Sequence, residues 1–286
     1  MRPDVAIAGG GLAGLCLAIE LKRAAPELSI VVVERRTDPA PDAAFKVGES
    51  SVEVGSHYFR DIVGVTDLLE EQLPKFGLRF FFTRGGNTDI AQRLELGPSR
   101  FFHFPSYQID RGKFENALAR RCRELGVELR FESKVRDLRI DEQGGRHELT
   151  LADGSLIECR WLVDASGRAD LLKRRRGLAQ KNAHHVNAAW FRIDVSIDID
   201  EWSDEPSYQG RVGPPRRLST NHLMGDGYWV WIIPLPDGRT SVGIVGDSTL
   251  VPFSAIHSFE RAFGWLEENE PELAARLRPH LHARIY

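Results

Sequence analysis

The sequence has few cysteines, and their spacing gives no disulfide framework or zinc motif. Three occur in 286 residues, namely Cys16, Cys122 and Cys159, far apart in segments that have regular hydrophobic patterns. His184-His185 and His280-x-His282 lack carboxylate or cysteine partners at a ligand spacing. We therefore expect no metal site, and the cysteine usage favours a reducing cytoplasm as the location.

An excess of basic charge is also missing, and so is a long hydrophobic run. Lys and Arg total 38 against 41 Asp and Glu, a net charge of -3. This balance gives no electrostatic reason to expect nucleic acid or an acidic membrane surface as a partner. The apolar run from Val5 to Ile19 is interrupted by glycines and ended by Glu20, and it is too short to span a bilayer. We expect no targeting signal and no membrane segment.

A glycine-rich turn is present near the N-terminus. In "DVAIAGGGLAGLCLAIELKRAAPELSIVVVERR", a short apolar strand precedes Gly9-x-Gly11-x-x-Gly14, a helical pattern follows, and a second strand ends at Glu34. Glycines let the backbone approach a pyrophosphate at the helix N-terminus, and an acid at Glu34 suits a ribose hydroxyl. The pattern predicts a site for NAD or FAD; the alternative is a glycine-rich turn in another α/β protein.

The remaining patterns predict an α/β fold in which antiparallel strands are inserted into the nucleotide-binding part. Hairpins are predicted at Asp153-Gly154 and Asp237-Gly238. In "AWFRIDVSIDID" the alternation places Phe191 and Ile193 on a buried face and Arg192 on a polar one. A single-domain NAD enzyme would instead continue with further βα units.

Two aromatic segments allow more than one interpretation. In "LPKFGLRFFF", Lys75 precedes a phenylalanine-rich strand; by itself, such a lysine is expected to lay its stem on apolar surface and keep its ammonium in water. In "WVWIIP", Trp229 and Trp231 share one strand face, which by itself favours core packing.

Taken together, the motifs resemble a known family. The N-terminal glycines with Glu34, "YQIDRGKFENAL" and "LVDASGR" are similar to the FAD-binding domain of flavoprotein monooxygenases. "WVWIIP" matches the WxWxIP motif of flavin-dependent halogenases, and "PKFGLRF" matches the KxGxxF segment of their phenol- and pyrrole-type branch. The resemblance implies a Rossmann-like FAD-binding domain with an interleaved antiparallel-sheet substrate domain.

The resemblance assigns roles to particular residues. Lys75 would be catalytic, because burial in an apolar pocket disfavours its ammonium and makes a neutral amine accessible. The substrate or tunnel residues would be Phe80, Trp229, Trp231, Ile233 and Pro234, and the phenylalanines near Lys75 would form its pocket. The cofactor-binding residues would be Gly9, Gly11, Ala13, Gly14, Glu34, Arg35, Gly48, Glu49, Ser50, Arg111, Val135, Asp164 and Gly167.

The resemblance also implies a reaction and its partners. Such enzymes receive reduced FAD (FADH2) from a separate flavin reductase and use dioxygen and a halide ion to form hypohalous acid. A lysine then holds the hypohalous acid beside an electron-rich aromatic substrate, either small or carrier-bound.

The expected domains are discontinuous. Residues 1–72 and 106–182 are predicted to bind FAD, and residues 73–105 and 183–286 to form the substrate-side sheet and a following helix. The family's later flavin motif and helical region are not recognised in the sequence, so we expect a truncated chain. Two alternatives stay open: a related FAD-dependent aromatic hydroxylase or oxidoreductase, and a non-catalytic remnant.

Overall fold

The computed structural model describes residues 1–40, 46–84 and 86–285. The strands are β1 (Val5–Ala8), β2 (Ile30–Val33), β3 (Leu73–Lys75), β4 (Leu78–Phe82), β5 (Leu94–Leu96), β6 (Ser106–Gln108), β7 (Glu128–Arg130), β8 (Val135–Arg139), β9 (His147–Leu151), β10 (Leu156–Cys159), β11 (Trp161–Asp164), β12 (Val186–Ile193), β13 (Thr220–Gly225), β14 (Tyr228–Pro234), β15 (Thr240–Asp247) and β16 (Arg284–Ile285). The α-helices are α1 (Leu12–Ala24), α2 (Glu53–His57), α3 (Thr66–Glu70), α4 (Arg111–Glu124), α5 (Leu171–Arg175), α6 (Pro206–Gln209), α7 (Phe259–Asn269) and α8 (Pro271–Leu277).

The chain divides into two compact units, each made of several segments. The first unit comprises Met1–Ala44, Tyr58–Leu68 and Arg111–Lys181. The second comprises Phe45–His57, Leu69–Asp110 and Asn182–Tyr286. This division differs from the expected domains chiefly at residues 45–57, which belong to the second unit.

The first unit contains a parallel sheet in the order β11-β1-β2-β7. All four residues of β1 and all four of β2 are buried, as in a parallel strand that is covered on both faces. A separate antiparallel sheet, β10-β9-β8, is built around the predicted hairpin at Asp153-Gly154. Its apolar side chains join those of β1 and β2 in one core, including Ala6, Val31 and Leu149. The predicted strand–glycines–helix–strand order is confirmed.

The second unit is dominated by a sheet in the order β16-β12-β15-β14-β13-β4-β5. Its pairs are antiparallel except for β4 with β13, which run parallel. The predicted hairpin at Asp237-Gly238 joins β14 to β15. One face of the sheet packs on α7 and α8 through a core that includes Val230, Ile244 and Leu266. The mixed α/β class that was predicted is confirmed.

The alternating segment around Arg192 departs from its prediction. The strand ends at Ile193, well before Asp200. Arg192 was placed on a polar face, but its residue exposure is 0%. Alternation between apolar and polar residues shows only that the two faces differ; it does not tell whether the polar face meets water or a buried counter-charge.

The three cysteines are buried and free. Within the described ranges, no helix combines the length and apolar character needed to cross a membrane. Over those same ranges, no group of three His, Cys, Asp or Glu side chains is placed to hold a metal ion.

Candidate active site

In the glycine-rich turn of the first unit, packing leaves no room for a side chain at two glycines, whereas the space at a third glycine is open. A Cβ on Gly9 would lie 2.2 Å from the Ala165 carbonyl oxygen, and the φ of Gly9 is +118°. A Cβ on Gly14 would lie 2.0 Å from the Gly9 oxygen. At Gly11, the N-cap of α1, an added Cβ meets nothing within 4 Å, and no side chain caps the helix. The N-terminus of α1, with exposed Ala13 in its first turn, therefore has the open backbone that a pyrophosphate requires.

The predicted ribose ligand, Glu34, is already bonded to the protein. Its carboxylate accepts hydrogen bonds from the backbone N–H groups of Gly10 (2.8 Å) and Arg36 (3.0 Å). It also forms an ion pair with the Arg36 guanidinium at 3.2 Å. Burial acts to raise the pKa of Glu34, but the bonds from Arg36 outweigh it and hold the pKa below its ordinary value. Glu34 is thus an ionised carboxylate that fixes the turn.

A cavity lies beside Glu34 in the first unit. It is lined by Ala8, Gly9, Val33, Glu34, Arg35, Ser133, Lys134, Val135, Ser166, Ala169 and Leu171. The structure therefore brings together four predicted residues from distant parts of the sequence: Gly9, Glu34, Arg35 and Val135. Ser133 and Lys134 were not predicted, because a single loop position carries no periodic signal.

The "DASG" turn is held by local hydrogen bonds. The Asp164 carboxylate accepts from the backbone N–H groups of Ser166 (3.0 Å) and Leu172 (2.7 Å). Gly167 has a φ of +60°, in the left-handed region that favours glycine. Asp164 therefore shapes the turn that ends beside the cavity.

Arg111, in the first unit, forms an ion pair with Glu115, a residue that was not predicted from the sequence. Its guanidinium pairs with Glu115 at 2.6 Å, and Arg36 reaches Glu115 at 3.3 Å. Glu115 follows Arg111 by four residues on α4, a spacing that brings the two side chains together. An Arg–Glu pair at this spacing was available in the sequence as a signal.

The "GES" turn lies in the second unit and is fixed by buried polar groups. Gly48 has a φ of +93°. The Glu49 carboxylate accepts from Arg192 Nε at 2.8 Å, and Asp110 lies 3.9 Å from the same guanidinium. Burial raises the pKa of Glu49, against the effect of Arg192. The Ser50 hydroxyl is 2.6 Å from that of Thr220.

Lys75 is buried, at 4% exposure, and its Nζ donates a 2.7 Å hydrogen bond to the Ser51 carbonyl oxygen. The ammonium therefore does not extend into water, which excludes the snorkelling alternative. Burial lowers the pKa of Lys75 from its ordinary 10.5, and the charge of Glu53 acts against this shift. The lysine is held where a neutral amine is more accessible than at the surface.

A cavity in the second unit surrounds Lys75. It is lined by Val47, Gly48, Glu49, Ser50, Val52, Lys75, Leu78, Thr220, His222, Trp231 and Ile233. Lys75 meets the predicted "GES" residues here, together with Trp231 and Ile233. His222 and Thr220, both on β13, were missed because no motif contains them.

The other predicted substrate residues, Trp229, Pro234 and Phe80, are not among the residues that line this cavity. Trp229 is half-buried on the same strand face as Trp231, whose indole N–H donates to the Ser241 hydroxyl at 3.2 Å; Pro234 is buried at the end of β14. Phe80 does not line the cavity but stacks on His222, with ring centroids 5.0 Å apart. Among the described residues, the lining contains no phenylalanine, contrary to the expectation: Phe76 and Phe81 are fully buried and Phe82 is exposed.

Comparison with known proteins gives three kinds of match. Residues 4–188 match the family model described as lycopene cyclase protein. The flavin-dependent halogenase chlA of Dictyostelium discoideum is 28% identical, over 93% of this chain and 49% of that protein. A 1H-pyrrole-2-carbonyl-[peptidyl-carrier protein] brominase of Pseudoalteromonas luteoviolacea is also 28% identical, over 96% of this chain and 62% of that protein.

The solved structures match in fold. Halogenase PltM in complex with phloroglucinol and FAD superposes with a TM-score of 0.75 at 16% identity, covering 99% of this chain and 58% of that one. The curated relatives include several halogenases, such as chlA and a tetracycline 7-halogenase of Kitasatospora aureofaciens, and also a 12-dehydrotetracycline 5-monooxygenase/anhydrotetracycline 6-monooxygenase of Streptomyces rimosus. This chain spans about half the length of the two halogenases.

Proposed function

We propose that this chain, which belongs to the lycopene cyclase protein family, is an FAD-dependent halogenase acting on an electron-rich aromatic substrate. Reduced FAD, dioxygen and a halide ion would be consumed, and Lys75 would hold the resulting hypohalous acid. The observation that carries the proposal is the burial of Lys75 in a cavity that it shares with the "GES" turn and the WxWxIP strand.

The first unit fits the nucleotide part of FAD. The open backbone at Gly11 leaves room for a pyrophosphate, whereas Gly9 and Gly14 are required to form the turn. Glu34, Arg35 and Val135 would hold the adenosine side, with the Asp164 turn and Arg111 as further contacts. Bound and reduced, FAD supplies the two electrons that activate dioxygen for oxidation of the halide.

The second unit supplies the groups that control the oxidant. The Lys75 amine can hold hypohalous acid by a hydrogen bond, or accept its halogen as a haloamine. Val47, Val52 and Leu78 form an apolar part of the cavity wall, where an aromatic substrate would cover the oxidant from water. Trp231 and Ile233 provide a flat apolar surface for an aromatic ring.

The partners follow from the same proposal. A separate flavin reductase would supply FADH2. A small phenol or a carrier-bound pyrrole would be the substrate, which is supported by the pyrrole-carrier-protein brominase among the relatives. The three free, buried thiols support a reducing cytoplasm as the location.

The first experiment is an FAD titration of this chain, followed by turnover with reduced FAD, dioxygen, bromide and phloroglucinol. We expect saturable binding and a brominated product that disappears without bromide. An oxygenated product that forms regardless of bromide would favour the hydroxylase alternative. Failure to bind FAD, both here and in a version extended downstream, would favour a non-catalytic remnant.

The second experiment removes the lysine. Lys75→Ala should lower bromination by at least roughly 100-fold, the scale on which a positioned catalytic group acts, with FAD affinity unchanged. Lys181→Ala changes an exposed lysine and is the matched control. Undiminished bromination by the Lys75 variant would contradict the assignment.

A further inference from the structure

His222 lines the Lys75 cavity together with two other titratable side chains of the described residues, Glu49 and Lys75. It lies on β13, opposite Phe80 of β4 and opposite Trp231 of β14. Its ring stacks on Phe80 with an interplanar angle of 19°, so the plane of the imidazole is fixed. Its Nδ1 is buried. A stacked ring that borders the cavity presents an imidazole at a defined orientation to whatever fills the space.

The imidazole is neutral at physiological pH. Burial lowers the pKa of His222 to about 4, and the nearby charge of Lys75 adds to this shift, while backbone carbonyls of Arg79 and Thr220 oppose it. An unprotonated imidazole nitrogen can accept a proton.

The carboxylates near the cavity are otherwise engaged. Glu49 is ion-paired with Arg192, and Glu53 accepts a 3.0 Å hydrogen bond from the Ser106 hydroxyl. Lys75 donates to the Ser51 carbonyl. Among the described residues, the titratable side chains that line the cavity are Glu49, Lys75 and His222. The elements around it also carry Glu53 and His57 on α2, Arg79 on β4 and Tyr228 on β14, which are not in the lining. His222 is therefore the side chain best suited to accept a proton there.

We propose that His222 is the general base of the Lys75 cavity, accepting the proton that the aromatic ring loses when it is halogenated. The proposal rests on the halogenase function proposed above. It adds a catalytic residue to that function and narrows the substrate to rings that present a C–H bond to β13.

Halogenation of the ring consists of one bond exchange at the halogen and one proton transfer to the imidazole. A ring carbon attacks the halogen, the carbon–halogen bond forms, and the halogen–oxygen bond breaks with its electron pair leaving as hydroxide. The ring carbon is oxidised by two electrons and the halogen is reduced from +1 to -1. The C–H electrons then restore aromaticity as the proton moves to the imidazole. The imidazolium passes this proton to hydroxide, and water is the second product.

The first test needs no turnover. Histidine side-chain NMR titration should give His222 a midpoint near pH 4, assigned by its absence in His222→Asn. In Lys75→Met the midpoint should rise, because a positive neighbour has been removed. A His222 midpoint that is unchanged by Lys75→Met would overturn the proposal, since the two side chains would not share the cavity.

The second test measures proton transfer itself. His222→Asn should brominate phloroglucinol roughly 100-fold more slowly than the wild-type chain, and His257→Asn, at an exposed position, should not. The variant should also turn over ring-deuterated phloroglucinol more slowly than the protonated form, and added imidazole should restore part of the rate. A purely structural role would lower the rate without an isotope effect or rescue.

The outcomes separate the two proposals. A wild-type chain that brominates, with a His222→Asn rate that shows neither isotope effect nor rescue, contradicts only the role of His222. A wild-type chain that makes no brominated product contradicts the proposed function, and the role of His222 falls with it.

Discussion

The two units position polar groups in different ways. In the first, the motif residues bind one another through the backbone: Glu34 accepts from Gly10, and Asp164 accepts from Leu172. In the second, the polar groups are side chains paired with side chains far away in sequence, as Glu49 is with Arg192, 143 residues later.

The difference has an energetic consequence. A backbone-built turn tolerates no added volume where it packs, and its buried carboxylate, Glu34, keeps two backbone N–H partners when a neighbouring side chain is lost. A side-chain-built cavity depends on compensation of buried charges, since an unpaired one costs several kcal/mol. We therefore expect the second unit to be the more sensitive to loss of a single polar group.

The largest expected effect is that of Glu49→Ala. It leaves Arg192, at 0% exposure, without its closest counter-charge, so the free energy of unfolding should fall by about 4 kcal/mol. Urea denaturation followed by tryptophan fluorescence would measure it. Glu267→Ala, which removes an exposed partner of Arg278, should change little. Similar midpoints for the two variants would contradict the comparison.

The next effect separates two glycines of one motif. Gly14→Val places side-chain atoms against the Gly9 backbone and should lower the free energy of unfolding by about 3 kcal/mol. Gly11→Val has space and an extended φ of -83°, so it should fold normally yet lose FAD binding. Denaturation and FAD titration would be measured on both. An unchanged FAD dissociation constant in Gly11→Val would refute the open backbone as the pyrophosphate site.

A smaller effect depends on pH. The pKa of His222 is about 4 in the folded chain against 6.5 for a solvated histidine, so the unfolded state binds more protons as the pH falls below 6.5. Between pH 7 and pH 5 this should remove about 2 kcal/mol of stability, and the loss should level off below pH 4. His222→Phe should lose less stability over that interval than the wild-type chain. Equal losses would mean that the histidine is not buried in its neutral form.

The smallest effect on stability is expected at the cavity wall. Leu78 is 41% exposed, so Leu78→Ser should change the free energy of unfolding by no more than about 0.5 kcal/mol. It lines the Lys75 cavity, so the dissociation constant of phloroglucinol should rise. Leu94→Ser, at 40% exposure on the paired strand β5, is the control and should bind normally. Equal binding by both variants would argue against occupation of the cavity.

The sequence predicted the first unit well because its signal is local. Strand, glycines, helix and acid lie within 34 residues, and each position is fixed by its neighbours in the chain. The same sequence could not show that the Glu34 carboxylate accepts a hydrogen bond from the Gly10 N–H. The glycine pattern is the same whether that carboxylate bonds the turn or faces a ligand.

The second unit was predicted less completely because its contacts are long-range. The burial of Lys75 depends on the Ser51 carbonyl and on strands more than 140 residues later. The phenylalanines that follow Lys75 in the sequence do not line its cavity: Phe81 packs in the core of the second unit, and Phe80 stacks on His222. His222 carried no signal, because a lone histidine on an alternating strand looks the same whether it meets water or a buried lysine.

The central claim is that Lys75 is held in a state that no surface lysine shares. Lysine side-chain NMR titration, with the Lys75 signal assigned by its absence in Lys75→Met, measures that state directly. The account predicts a Lys75 midpoint below the ordinary 10.5, because burial disfavours the ammonium. A midpoint at or above 10.5 would show a solvated or fully paired ammonium and would contradict the claim that this lysine is prepared to receive a halogen.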